Sequence, residues 1–273
     1  MTFPTGFGGM GGMPGGMGSG SFPSFGGMLP GQGAPSAPPA GGKEGAEAGM
    51  AGDAPTTREF QDAATAVDGM GGDESGLKPL MDNGRPVERI NPATGMVSKA
   101  YVTLDEKVIV AFGGTTSGMA QDPGILGPQL QADMIAGSGG AAPAQVDAAD
   151  FTRDVQGIAD QQGIGSDNVY VSGHSLGGME SQSAAQQTGA GGMAFESPGI
   201  RPDPDAPGKG DNFLTVSDQS DPIATLTAGG PHYGRRLNVN TGMGPMAHIP
   251  GAQTQALGSG EGMSLSNLIR QLQ

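Results

Sequence analysis

Cysteine is absent from the 273 residues, and so is tryptophan. Without thiols the chain has neither a disulfide framework nor a thiolate metal site, and its composition does not report on the redox compartment. Histidine is nearly missing as well. His174, His232 and His248 are the three, no two of them closely spaced, so a zinc site has no ligand set and neither metal nor organic cofactor is expected. Basic residues are few, 13 Lys and Arg against 27 Asp and Glu, which leaves a net charge of −14. Phosphate-rich partners are bound through Lys and Arg, so this balance argues against nucleic acid or an anionic membrane surface as the main partner and favours a neutral or interfacial substrate. No apolar run approaches the roughly 20 residues that span a bilayer. The N-terminus lacks the basic start and apolar core of a secretory signal, so the expected address is the cytoplasm or the outside by a non-classical route.

Charge itself is missing from Met1 to Gly42, where Gly, Pro, Ser and Met dominate and pieces such as Gly8-Gly9-Met10 and Gly26-Gly27-Met28 recur. Such a stretch has little to bury and loses much backbone entropy on ordering. Residues 1–54 are therefore expected to form a disordered low-complexity tail, in which Phe3, Phe7, Phe22 and Phe25 would be the contacts of any export or interaction role. Residues 55–273 are expected to form one folded domain.

What is present is a series of elements leading to one short string. Thr57 and the residues after it place Phe60, Ala63, Ala64 and Val67 at helical spacing behind a threonine N-cap. Gly69 to Asn83 reads as a Gly-broken connector. Val97 to Leu104 alternates as a half-exposed strand should, and Val108 to Phe112 is continuously apolar, as a strand covered on both faces would be. A helix is expected over Gln129 to Ile135 and another from Asp150 to Gln162, with Asp150 near its N-cap and Phe151, Val155, Ile158 and Ala159 on one face.

Next comes Asn168 to Gly178, N-V-Y-V-S-G-H-S-L-G-G, in which a short β-branched and aromatic run enters Gly173-His174-Ser175-Leu176-Gly177. This fits the G-x-S-x-G nucleophile elbow, where a serine in a sharp strand-to-helix turn needs neighbours without Cβ two residues to either side. In a chain with 53 glycines the pattern alone is weak. The strand before it, the helix-compatible Gly178 to Ala185 after it and the full string G-H-S-L-G-G strengthen it. The turn would leave the Leu176 N–H at the mouth of a new helix, where a carbonyl oxygen can collect negative charge.

The string resembles the elbow of the class 3 (fungal-type) lipase family within the α/β-hydrolases. That resemblance implies an α/β fold with a mostly parallel central sheet flanked by helices. It extends to the strand running into Gly113-Gly114-Thr115-Thr116-Ser117, similar to the family's F-R-G-T, and so gives Thr115 the second oxyanion N–H beside that of Leu176. Gly113 departs from the pattern, since the family carries Arg there. Ile125, Leu126, Leu130, Met134 and Ile135 fall where related lipases have a lid, though they fit an ordinary core equally well. Met193-Ala194-Phe195-Glu196-Ser197-Pro198 resembles the family's Y-T-F-G-x-P.

A further strand over Asn212 to Val216 exits through two acids, Asp218 and Asp221. The family's N-x-x-D-x-V-P places the catalytic acid at Asp221, with Asp218 as competitor. His248, ahead of a closing helix over Ser264 to Leu272, takes the base position, while His232 matches a non-catalytic segment and His174 a packing residue that points away. The order Ser, Asp, His is that of α/β-hydrolases. Together these imply a serine carboxylic ester hydrolase, with a lipid or other ester as substrate and a transient lipid interface as the further contact. A phospholipase-type secreted effector acting on membranes and a non-enzymatic binding protein on a decayed scaffold are the alternatives. Glu180 and Gln182, polar on the elbow helix, favour the latter.

Overall fold

In the computed structural model, which describes residues 54–69, 75–115, 117, 129, 142–225, 230–258 and 262–273, helix α1 (Thr57–Val67) opens on a full capping box. The Glu59 N–H donates to Thr56 Oγ1 at 3.2 Å and the Glu59 carboxylate accepts the Thr56 N–H at 2.7 Å. The far end of the chain fastens the same turn, because Thr57 N–H donates to the Met263 carbonyl and Leu265 N–H to the Pro55 carbonyl. Phe60, Ala63, Ala64 and Val67 are buried, the face their spacing implies. All described residues belong to one compact unit, Gly45–Gln273. Apart from Ala54, the expected tail lies outside the described residues, as do the five apolar lid candidates and all but Gln129 of the helix expected there.

A mixed, mostly parallel sheet forms the centre. Five strands run parallel in spatial order: β6 (Val108–Phe112), β7 (Val169–His174), β8 (Gly191–Phe195), β9 (Phe213–Asp218) and β10 (Arg235–Val239). On the β6 side the sheet turns antiparallel through β5 (Met96–Val102), whose outer edge is shared by β1 (Lys78–Pro79) and β4 (Glu88–Asn91). A small separate hairpin pairs β2 (Met81–Asp82) with β3 (Arg85–Pro86) across Asn83-Gly84, both with positive φ. These short strands replace part of the expected connector. The Asn-Gly pair that makes the primed turn was their sequence signal.

Strand β6 explains why a continuous apolar run is required. Val108, Val110 and Phe112 enter one core with α2 (Pro143–Gln161) and α3 (Leu176–Thr188), while Ile109 and Ala111 enter the other with α1 and α5 (Leu265–Gln271). Both faces of β6 are covered, and all five of its residues are buried and apolar. Helix α2 starts at Pro143, well before the expected N-cap at Asp150. Proline at its first position and buried Ala144, Ala148 and Ala149 carry it further toward the N-terminus, and Asp150 lies within it, paired with Arg153 at 2.6 Å.

Thr56→Ala removes the side-chain half of the capping box and is expected to lower unfolding stability by about 1 kcal/mol. Urea unfolding of the two proteins measures it, and coincident curves would show that the cap contributes nothing.

Candidate active site

Ser175 stands between a strand and a helix in a backbone conformation that serine rarely adopts, φ +56° and ψ −121°. It follows β7, the middle strand of the whole sheet path, and Leu176 opens α3. The glycines beside it are steric requirements. A Cβ on Gly173 would strike the Gly177 carbonyl, and one on Gly177 would strike the Phe112 carbonyl at the end of β6. The spacing in G-x-S-x-G therefore reports how closely α3 crosses β6 and β7. The Ser175 N–H donates to the Phe195 carbonyl at 3.0 Å, which ties the turn to β8 as well.

Asp221 and His248 reach this serine from the chain beyond β9. Asp221 is fully buried. Its Oδ1 accepts the Ile223 N–H at 2.7 Å, and its Oδ2 lies 2.7 Å from His248 Nδ1. His248 ends a 3-10 turn, Gly244–His248, and its Nε2 lies 2.9 Å from Ser175 Oγ. With Nδ1–H donating to the carboxylate, the Nε2 lone pair is free to accept the serine hydroxyl. Burial raises the Asp221 pKa, but hydrogen bonds from His248, Glu196 and the Ile223 N–H outweigh it and hold the carboxyl below its ordinary range.

The two competitors are held by other partners. Asp218 accepts the Ser220 N–H at 2.7 Å, the Ser220 hydroxyl at 2.5 Å and the Thr241 N–H at 2.6 Å. Burial opposes its charge, yet these bonds bring its pKa down to about 2. It fixes the turn that presents Asp221. His232 Nε2 lies 2.8 Å from the Ser197 carbonyl, and burial with Arg236 nearby lowers its pKa.

His174 differs from the packing residue expected to point away. It is buried, but its ring packs on that of His248, centroids 5.0 Å apart and planes inclined at 48°. Burial and the neighbouring imidazole push its pKa down to about 3, so it stays neutral beside His248.

On the other side of the serine, Leu176 is the first residue of α3, where N–H groups have no partner within the helix. Thr115 follows Gly114, whose own Cβ position would lie 3.8 Å from Ser175 Cβ. The loop between them is held by Asp68, at the end of α1, which accepts the Gly114 N–H at 2.8 Å and a short hydrogen bond from the Ser117 hydroxyl. Burial raises the Asp68 pKa against the effect of those bonds. A side chain at Gly113 would meet Ser117 Cβ and Oγ at 2.5 Å, so the arginine of the resembling motif has no room here. Nothing local in the sequence links Asp68 to this loop. Gln182 on α3, one of the residues that favoured a decayed scaffold, is a structural clamp. Its Nε2 donates to Ser197 Oγ and the Pro198 carbonyl at 2.8 Å, and its Oε1 accepts the Tyr233 N–H at 2.9 Å.

Glu196, unremarked in the sequence, lies directly behind Asp221. It is fully buried at a positive φ of +45° and takes the Asp218 N–H on its two oxygens at 2.9 and 3.0 Å. Its residue type was the available signal, since the resembling Y-T-F-G-x-P has glycine there. Among the described residues no cluster of His, Asp and Glu could hold a metal ion, and no helix is long and apolar enough to cross a membrane.

No family model matches the chain, and no curated protein matches it. Among solved structures it is similar to the extracellular lipase LipA from Serratia marcescens, at 21% identity over 63% of this chain and 33% of that one, with a TM-score of 0.43. It is also similar to the Rhizomucor miehei lipase propeptide complex, at 15% identity over 67% of this chain and 66% of that one, with a TM-score of 0.39. The match thus spans a third of the Serratia lipase and just under two thirds of the Rhizomucor chain.

Gly177→Ala is expected to destabilise the fold by about 1–3 kcal/mol or more through overpacking. Gly157→Ala, in α2 with nothing within 4 Å of the added methyl, is expected to stabilise it by about 0.5–1 kcal/mol. Denaturant unfolding reads both, and equal effects at the two positions would contradict the account of the elbow.

Proposed function

We propose that the chain is a serine carboxylic ester hydrolase of α/β-hydrolase type. The observation that carries the reading is the unbroken hydrogen-bonded run from Ser175 Oγ through His248 to Asp221. In the proposed reaction His248 takes the Ser175 proton as Oγ attacks the ester carbonyl. Asp221 fixes the imidazole tautomer and stabilises its charged form. The developing oxyanion is met by the Leu176 and Thr115 N–H groups, each worth roughly a hundred- to a thousandfold in turnover. His248 then protonates the departing alcohol and activates the water that releases the acid from the acyl-enzyme. The chemistry requires no cofactor.

The ground around the base supports a lipid ester as substrate. Met243, Met246 and Ile249, all flanking His248, are exposed large apolar residues. Apolar side chains clustered at a site of ester cleavage suit contact with an acyl chain or lipid interface.

His248→Ala is expected to reduce p-nitrophenyl ester hydrolysis by about 10⁴-fold, with His232→Ala keeping most of it. The reverse pattern would overturn the assignment of the base. Replacing Met246 and Ile249 together by serine is expected to lower hydrolysis of emulsified tributyrin about fivefold or more, with water-soluble esters little changed. Equal losses on both substrates would contradict an interfacial role.

A further inference from the structure

Glu196 sits where the segments that carry Asp221 and His248 meet. It follows β8 directly, and its N–H donates to the Val216 carbonyl of β9 at 3.0 Å. Its Oε1 accepts the Gln253 amide at 2.6 Å, and the same amide donates to the Ala247 carbonyl, one residue before His248, at 3.0 Å. Gln253 is itself fully buried, on α4 (Ala252–Leu257). The Glu196 carboxyl also lies within hydrogen-bonding reach of the Asp221 carboxyl. Two carboxyl groups can share a hydrogen bond only if one of them holds a proton.

Which one holds it follows from their partners. Asp221 faces the His248 ring and a backbone N–H, and donors of this kind favour the charged form. Apart from Asp221, Glu196 also meets two N–H groups, those of Asp218 and Gln253, but both belong to neutral amides, whereas the imidazole beside Asp221 can take up a positive charge. The backbone adds an independent sign. A non-glycine residue at positive φ is uncommon, and such outliers gather where function over-determines the conformation.

We propose that Glu196 is a positioning residue of the triad: a neutral carboxylic acid whose O–H holds the Asp221 carboxylate from behind, while Gln253 ties the same group to the turn that carries His248. The inference rests on the hydrolase reading for its effect on rate, but its proton can be observed without activity. Burial first, and then the Asp221 hydrogen bond, push the Glu196 pKa up to about 8. Of the titratable groups, Asp221 faces it directly, Asp218 meets it through its backbone N–H, and the His248 ring lies on the far side of Asp221. Because the folded pKa lies above the unfolded one, the stability gained by burying the neutral acid is complete below about pH 4. It is lost as pH rises through the folded value. Above that point two carboxylates face each other and Asp221 loses its rear donor.

The test compares the wild-type protein with Glu196→Gln and Glu196→Leu. Glutamine keeps an N–H donor toward Asp221 and a carbonyl toward Gln253, but it cannot ionise; leucine keeps the bulk and removes the donor. The expected result is that E196Q retains ester hydrolysis near neutral pH and lacks the alkaline decline of the wild-type kcat/KM, while E196L falls about ten- to a hundredfold at every pH. Loss in E196Q equal to that in E196L, or an alkaline decline in E196Q matching the wild type, would overturn the proposal. Carboxyl carbon NMR on glutamate-labelled protein supplies the readout that needs no turnover. One glutamate signal should titrate well above the ordinary carboxylate range, vanish in E196Q and move down in Asp221→Asn. If all glutamates titrate near their ordinary value of about 4.3, the proposal fails whatever the activity. If the wild type hydrolyses no ester but the shifted signal is present, the hydrolase reading fails and the carboxyl pair stands.

Discussion

The site depends on the backbone contact where α3 crosses the end of β6, with Gly177 set against the Phe112 carbonyl and Gly173 beneath Gly177. That approach fixes the angle at which the helix leaves the sheet. It thereby fixes Ser175 in its strained conformation, with the hydroxyl raised above the strand ends. A methyl group at either glycine would lift the helix and carry the serine away from His248. The requirement is steric and leaves a trace in sequence, which explains why eleven residues, Asn168 to Gly178, disclose so much of the molecule.

Around this contact the fold supplies partners by parallel pairing. Strands β6 to β10 run in the same direction, so the loops that leave their carboxyl ends converge on one edge of the sheet. The Gly114–Thr115 loop, the elbow, Glu196 and Asp221 all follow such ends, and the turn bearing His248 comes after β10. Each is then secured by a buried polar group: Asp68 holds the loop after β6, Asp218 the turn before Asp221, and Gln182 the segment after Glu196. The net effect is a polar site held in place by buried hydrogen bonds on an apolar, two-sided core, and under the proposed hydrolysis little reorganisation would be needed as charge develops.

How much of this was legible depended on the range of each interaction. Helix α1, strand β6 and the elbow follow from local rules of periodicity, burial on both faces and turn sterics, and they appear where those rules put them. The choice of Asp221 over Asp218 came from a resemblance in motif, and the geometry distinguishes the two acids by what each one holds. What the sequence hid was long-range polar contact. Asp68 meets Gly114 across 46 positions and Gln253 meets Glu196 across 57, and neither pair carries a local signature. His174 was hidden for another reason: its neighbours mark it as a packing residue, but only the path of the chain beyond β10 brings the His248 ring onto it. The early start of α2 reflects tertiary packing of Ala144, Ala148 and Ala149 behind Pro143, and β2 and β3 turn on the Asn83-Gly84 pair.

Central to the account is a serine made nucleophilic by a histidine that the fold brings to it. Covalent labelling with a fluorophosphonate, followed by mass spectrometry of the digested protein, addresses it directly. The account predicts one phosphonyl adduct per chain, on Ser175, formed fast in the wild type and lost in Ser175→Ala. A wild-type chain that stays unmodified, or an adduct on another residue that persists in Ser175→Ala, would contradict it.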